Sequence, residues 1–311
     1  MIAFGVMVAE PEAYHRYTEP GIRLAAEPDS RVLAFATTGS AARTCNLLLD
    51  AAAAIEDLEA LILLHAHTEI ADPDLCAKVR VALAEPAVAV AGCAGAQGVR
   101  TLAWWRARVS AGEITQRYNE HGGGEVRAYA WVHPAPPPAT VDVVDELLMA
   151  LSPWAVRNVR FDEGLPLGFG FDLDYCLEVG ERGHQVVTFD ASVIQHRSVE
   201  LIERLELWVE GHIAFAQKWD ARLAARNGAQ GLPATGIAED LVRARARRAE
   251  AEREAARAIT YFRRLALDAR VAEMRKQVDE LTSSRSWRLT APLRELNHWR
   301  RSRLVADPAD E

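Results

Sequence analysis

Residues Arg160–His196 read RFDEGLPLGFGFDLDYCLEVGERGHQVVTFDASVIQH. A loop carrying Gly164, Pro166, Gly168 and Gly170 delivers two acids, Asp172 and Asp174, to the start of a short helical pattern. Tyr175, Cys176, Leu177 and Val179 are its apolar residues, and Gly183 is placed to end it, because glycine accepts the left-handed conformation found at many helix ends. Val186, Val187 and Phe189 then read as a short buried strand running out toward His196. A carboxylate at the mouth of a glycine-rich loop suits a base that meets a hydroxyl. It equally suits an N-cap, a position aspartate favours, and the spacing leaves both roles open.

Upstream, the chain alternates strand and helix. Ile2–Ala9 and Arg31–Thr37 are strand candidates, with Pro11–Arg23 a helix or loop between them. Ser40 is placed to cap a helix running to Ala54, and Leu58–Leu64 (LEALILL) has the apolar run of a buried parallel strand. Asp72–Ala84 reads as a helix and Ala87–Ala91 as the next strand. This alternation predicts a doubly wound α/β sheet, in which ligands bind beyond the carboxyl ends of the strands. Leu64 is followed by His65, Ala66, His67, Thr68 and Glu69, a pair of imidazoles and a carboxylate suited to a divalent cation or simply to a polar strand end. No G-x-G-x-x-G follows the first strand, which disfavours a Rossmann dehydrogenase.

Gly92–Thr140 reads as irregular, with Trp104, Trp105, Trp131, glycines 122–124, Pro134 and Pro136–Pro138. Val141–Leu151 returns to strand character, interrupted by Asp142, Asp145 and Glu146; that pattern fits a site edge or a solvent-facing edge strand. Leu201, Leu205, Trp208, His212, Phe215 and Trp219 recur at helical spacing, so His212 is read as part of a packed face. Gly228–Gly236 has the composition of a linker.

From Ile237 to about Leu281 arginine, glutamate and alanine dominate a long helix. It reads as a coiled coil that pairs subunits or as a solvated single helix. Trp287 and Trp299 follow among six arginines, a mixture suited to an anionic membrane surface or to a partner protein.

The formal charge of −8 divides unevenly: residues 1–238 carry −12 and residues 239–304 carry +7. An acidic body disfavours nucleic acid as its partner. Cys45, Cys76, Cys93 and Cys176 lack C-x-x-C spacing, which predicts buried thiols of a cytoplasmic protein. No apolar run reaches the roughly 18–20 residues of a membrane span, and MIAFGVMVAE lacks the basic start of a secretory signal.

Taken in order, these blocks resemble GT-A glycosyltransferases of the family 2 type, and within them the branch named for a streptomycin-biosynthesis protein. The blocks are RTCNLLLDAA, LILLHAHTEI with ADPDL, Trp104-Trp105, VDVVDELLMAL, VRFDE and FDLDYCLEVGERGHQVV with a terminal histidine, and they span about Ile2 to Trp219. The SWRLTAPLR segment is similar to tails on bacterial enzymes that build surface polysaccharides.

The resemblance implies an α/β fold of GT-A (Rossmann-like) type, a mixed, mostly parallel sheet flanked by helices. It would occupy residues 1–227, with a linker at 228–236 and a C-terminal helical extension at 237–311. It implies an inverting transfer of sugar from a nucleotide-diphosphate sugar to a hydroxyl acceptor, in bacterial surface glycan or related synthesis. Asp172 matches the base, His67 and His196 the ligands of a Mn2+ or Mg2+ ion, and Asn46, His65, Asp145 and Asp174 the donor-site wall. The acceptor implied is a glycan or lipid-linked chain at the inner face of the membrane, with a second copy met through the C-terminal helices.

Three residues depart from the family pattern: His67 stands where an acid ligates the metal, Glu146 where glycine follows Asp145, and Glu178 where arginine is frequent. These departures keep a second reading open, a catalytically degenerate donor-binding or assembly subunit acting through its C-terminal helices.

Overall fold

The computed structural model describes residues 1–37, 39–117, 125–130, 139–165, 169–196, 204–226 and 237–292. The chain opens with β1 (Ile2–Val8), then a helical run of α1 (Pro11–Ala13), a π-helical turn (Tyr14–Thr18) and α2 (Glu19–Ala25). There follow β2 (Arg31–Ala36), α3 (Ala41–Ala53), β3 (Ala60–His65), β4 (Thr68–Ile70), α4 (Leu75–Ala82) and β5 (Val88–Gly92). The middle contains β6 (Ala94–Gln97), a 3-10 turn (Trp104–Arg106), β7 (Val109–Arg117), β8 (Glu125–Ala130), β9 (Ala139–Val141), β10 (Val143–Val144) and β11 (Leu148–Leu151). The remainder is α5 (Pro153–Asn158), α6 (Phe171–Glu181), β12 (Gln185–Thr188), β13 (Val193–Gln195), α7 (Leu205–Arg226), α8 (Ile237–Ser283) and α9 (Arg285–Leu289).

The central sheet has seven strands in the order β2-β1-β3-β11-β5-β12-β9. Only β11 and β9 run against the rest, so the sheet is mixed and mostly parallel. Within β3, Ala60–Leu64 are buried, as expected of a strand with helices on both faces. A second sheet runs β10-β6-β7-β13-β4, with β8 paired to β7. Local chemistry sets the helix starts: Ser40 Oγ accepts from the Arg43 amide, and Ser152 does the same for Ala155 ahead of Pro153. Gly183, at φ +82°, follows the end of α6.

Four expectations need correction. Gly92–Thr140 is not irregular, because β6 and β7 build the second sheet. Their sequences, AGAQ and VSAGEITQR, are small and polar, so cross-strand pairing rather than local hydrophobicity makes them strands. Val141–Leu151 is not one edge strand: the acids lie in the breaks between β9, β10 and β11, and β11 is central, between β3 and β5. Neither Asp172 nor Asp174 is the N-cap of α6; Gly170 holds that place at φ +85°, and both acids lie in the first turn. The strand through Val186 stops at Thr188, and His196 follows a separate strand, β13.

The four cysteines are free and buried. Trp208, His212, Phe215 and Trp219 of α7 are buried, as their spacing predicts, and no described helix is long and apolar enough to cross a membrane. The linker at 228–236, Trp131, glycines 122–124, Pro134 with Pro136–Pro138, Pro166, Gly168 and Trp299 lie outside the described residues.

Candidate active site at the carboxyl edge of the sheet

A helix that feeds a parallel strand must begin at the edge where the strands end. Helix α6 precedes β12 and so brings Asp172 to the edge where β3 ends in His65 and where the antiparallel β11 begins just after Asp145 and Glu146. Asp172 is 4% exposed and its Oδ2 accepts from the Glu146 amide at 3.1 Å. Glu146 Oε2 stands 3.5 Å from His65 Nε2. Asp145 Oδ1 accepts from the Leu147 amide at 3.0 Å, while Thr68 Oγ1 donates to the Leu147 carbonyl at 3.2 Å. Thr18 Oγ1 donates to the His65 carbonyl at 3.0 Å. The turn carrying the acids is thereby fixed to both neighbouring strand ends.

Three carboxylates therefore lie near one another, Asp172 buried and Asp145 and Glu146 half-buried. Burial, then the charges of Glu146 and Asp145, hold the Asp172 carboxyl well above the usual carboxylate range. Asp145 is pushed up to about 6 by burial and by Glu146, against the Leu147 amide, His65 and Trp104, which favour its charged form. Such a cluster can take up or give up a proton near neutral pH.

Asp174 has different work. It is 0% exposed; its Oδ1 accepts from Trp219 Nε1 at 2.8 Å and pairs with Lys218 Nζ at 2.7 Å. Burial raises its pKa although both partners oppose the shift. Its carboxylate ties α6 to α7. Asn46 accepts from the Phe161 amide at 3.0 Å and donates to the Phe161 carbonyl at 3.0 Å and Glu163 Oε1 at 2.9 Å. It staples the start of the loop that leads into α6.

His67 and His196 are brought together by their backbones, the His196 amide donating to the His67 carbonyl at 3.0 Å. Their imidazoles face separate carboxylates: His67 Nε2 lies 3.5 Å from Glu10 Oε1, and His196 Nε2 bonds Glu69 Oε2. The His196 ring stacks on Tyr17 with centroids 3.9 Å apart, and burial lowers its pKa despite Glu69. Among the described residues no three His, Cys, Asp or Glu side chains converge as a metal ion requires. Among the described residues Glu10 and Glu69 each face one histidine rather than a common point, so the expected pair of ligands as placed does not form the site of a Mn2+ or Mg2+ ion. A cavity of about 760 Å³ lies elsewhere, lined by Gln97–Thr101, Asp142, Leu223 and Glu254 among others.

Glu146 is visible in sequence as the third acid interrupting the apolar run Val141–Leu151 and as a departure from the family pattern; Glu10 carries no such signal, since only the fold brings it to His67.

The fold and site define a mixed α/β protein with an acidic cluster at the carboxyl edge of a mostly parallel sheet. No family model matches the chain. It is 28% identical over 201 residues to the streptomycin biosynthesis protein StrF of Streptomyces griseus, covering 64% of this chain and 67% of that protein. Among solved structures it is similar to the mannosyltransferase PcManGT of Pyrobaculum calidifontis in complex with GDP-Man and Mn2+, at TM-score 0.46 and 14% identity, covering 93% of this chain and 81% of that one. It is also similar to GalNAc-T7 with UDP, GalNAc and Mn2+, at TM-score 0.43 and 11% identity, covering 80% of this chain and 54% of that one.

Proposed function

We propose that the chain is an inverting glycosyltransferase that moves a sugar from a nucleotide-diphosphate sugar to a hydroxyl acceptor. The observation that carries this reading is the buried Asp172 carboxylate in the first turn of α6, placed beside Asp145, Glu146 and His65 where the parallel strands end. In its ionised form Asp172 takes the acceptor hydroxyl proton while that oxygen bonds the anomeric carbon. The bond from that carbon to the diphosphate breaks on the opposite face, the nucleoside diphosphate leaves with the electron pair, and the configuration inverts. Asp145 and Glu146 raise the proton affinity of Asp172, and Asn46 and Asp174 hold the segments on which it sits.

The order of sequence blocks and the likeness to a streptomycin biosynthesis protein support this reading. The basic segment 239–304, with Trp287 42% exposed, supports a glycan or lipid-linked acceptor met at the inner face of a membrane, as in bacterial surface glycan synthesis. A second reading, a donor-binding or assembly subunit without turnover, is favoured by the separate pairing of His67 with Glu10 and of His196 with Glu69.

Release of nucleoside diphosphate from a panel of UDP-, GDP- and dTDP-sugars, with and without Mn2+, separates the two. The transferase reading expects slow release from at least one donor. Binding of a nucleotide without release over many hours supports a donor-binding subunit, and binding of none, with or without metal, overturns the transferase reading and leaves an assembly subunit.

A further inference from the structure

Helix α8 has two unlike halves. The first lays Ala251, Ala255 and Ala258, each 1% exposed or less, into the body, in the part of the fold where α8 packs on α7. The second leaves Leu267, Val271, Met274, Val278 and Leu281 between 40% and 62% exposed. These residues are spaced alternately four and three apart, the repeat of a coiled-coil seam, with Val271 and Val278 at a positions and Leu267, Met274 and Leu281 at d. Asp268 and Arg275 then fall at e positions, Arg263, Arg270 and Gln277 at g, and Arg264 at the preceding a.

We propose that this stripe seats the same stripe of a second copy, antiparallel, about a two-fold axis beside Ala272 and Glu273. In that register Leu267 meets the partner's Val278 and Val271 meets the partner's Met274. By symmetry this gives four apolar layers. Asp268 faces the partner's Arg275 at both ends, so the flank lined by e positions carries two opposite-charge pairs, while the other flank sets Arg270 beside the partner's Gln277. A parallel pairing would match Arg263 with the partner's Asp268 but set Arg270 against the partner's Arg275 and stack Arg264 on its own counterpart within the seam, whereas the antiparallel register lays each Arg264 against the partner's Leu281 at the end of the seam.

Some 35 residues of helix separate the two docked alanine patches, about 50 Å at about 1.5 Å per residue. The inference does not depend on the transferase reading.

Sedimentation of the full chain over a concentration series tests it. The expected result is a monomer–dimer equilibrium that Met274→Asp abolishes. Arg275→Asp should weaken dimerisation about tenfold or more, and Asp268→Arg with Arg275→Asp should restore it. A monomer at every concentration overturns the proposal, as does a dimer that Met274→Asp leaves unchanged. Tightening by Arg275→Asp would indicate the parallel pairing instead. A dimer that forms only after residues 293–311 are removed would show that the tail, not a second copy, covers the stripe. All three substituted positions are exposed, so these variants should keep the fold.

Discussion

The amide of Glu146 donates to Asp172 Oδ2 at 3.1 Å, so the residue that crowds the proposed base with charge also holds it by its backbone. The two effects separate by substitution. Glu146→Gln keeps the backbone bond and removes the charge, so the proton affinities of Asp172 and Asp145 should both fall. The acidic limb of the kcat/KM profile should move to lower pH. An unmoved limb, or one moved upward, would show that Glu146 does not set the proton affinity of the base.

Asp145 also couples stability to pH. Its folded value, about 6, lies above its ordinary 3.8, so the folded protein binds the extra proton in this window. The resulting stabilisation is fully present below about pH 4 and is lost as pH rises through 6. Asp145→Asn removes that dependence. The melting temperature of the variant relative to the parent should therefore rise by a few degrees between pH 5 and pH 8. Calorimetry showing the difference constant across that range would contradict the assignment.

Asp174 should matter for folding before it matters for turnover. Asp174→Ala leaves the Trp219 indole N–H without its acceptor and takes from Lys218 the partner at 2.7 Å, although Asp162 and Glu178 remain near. A loss of about 2–4 kcal/mol is expected in urea unfolding. Asp174→Asn, which keeps an acceptor for Trp219, should lose less. Equal losses would show that the charge rather than the indole bond is what counts.

Two glycines flanking α6 offer an internal comparison. Gly170 and Gly183 have nearly the same backbone, φ +85° and +82°. A Cβ at Gly170 would lie 2.5 Å from Leu102 Cδ2, while one at Gly183 would meet nothing within 4 Å. Gly183→Ala should cost about 1 kcal/mol of backbone strain, and Gly170→Ala measurably more in the same denaturation assay. Gly170→Ala should also lower kcat by moving the first turn of α6. If the two variants are equally stable, Leu102 moves aside freely.

The parts of the fold visible in sequence were those built from local signals. LEALILL announced a central strand, Ser40 a helix start and Gly183 a helix end. The second sheet was hidden because β6 and β7 are mostly alanine, glycine and polar residues whose few core contacts, Ala94, Ala96, Ala111 and Ile114, give too weak an alternation to mark strands. The site was half visible. Asp172 and His65 lie at recognisable places, a glycine-loop helix start and a strand end. The pairings of His67 with Glu10 and of His196 with Glu69 join residues far apart in the chain, and no spacing encodes them.

Whether Asp172 accepts the proton of an attacking hydroxyl is decided by measuring donor binding and nucleoside diphosphate release side by side for the parent and Asp172→Asn, using whichever donor the parent turns over. Binding should stay within a few-fold of the parent while release falls by about 10²-fold or more. Release at the parental rate with binding intact would show that Asp172 is not the base.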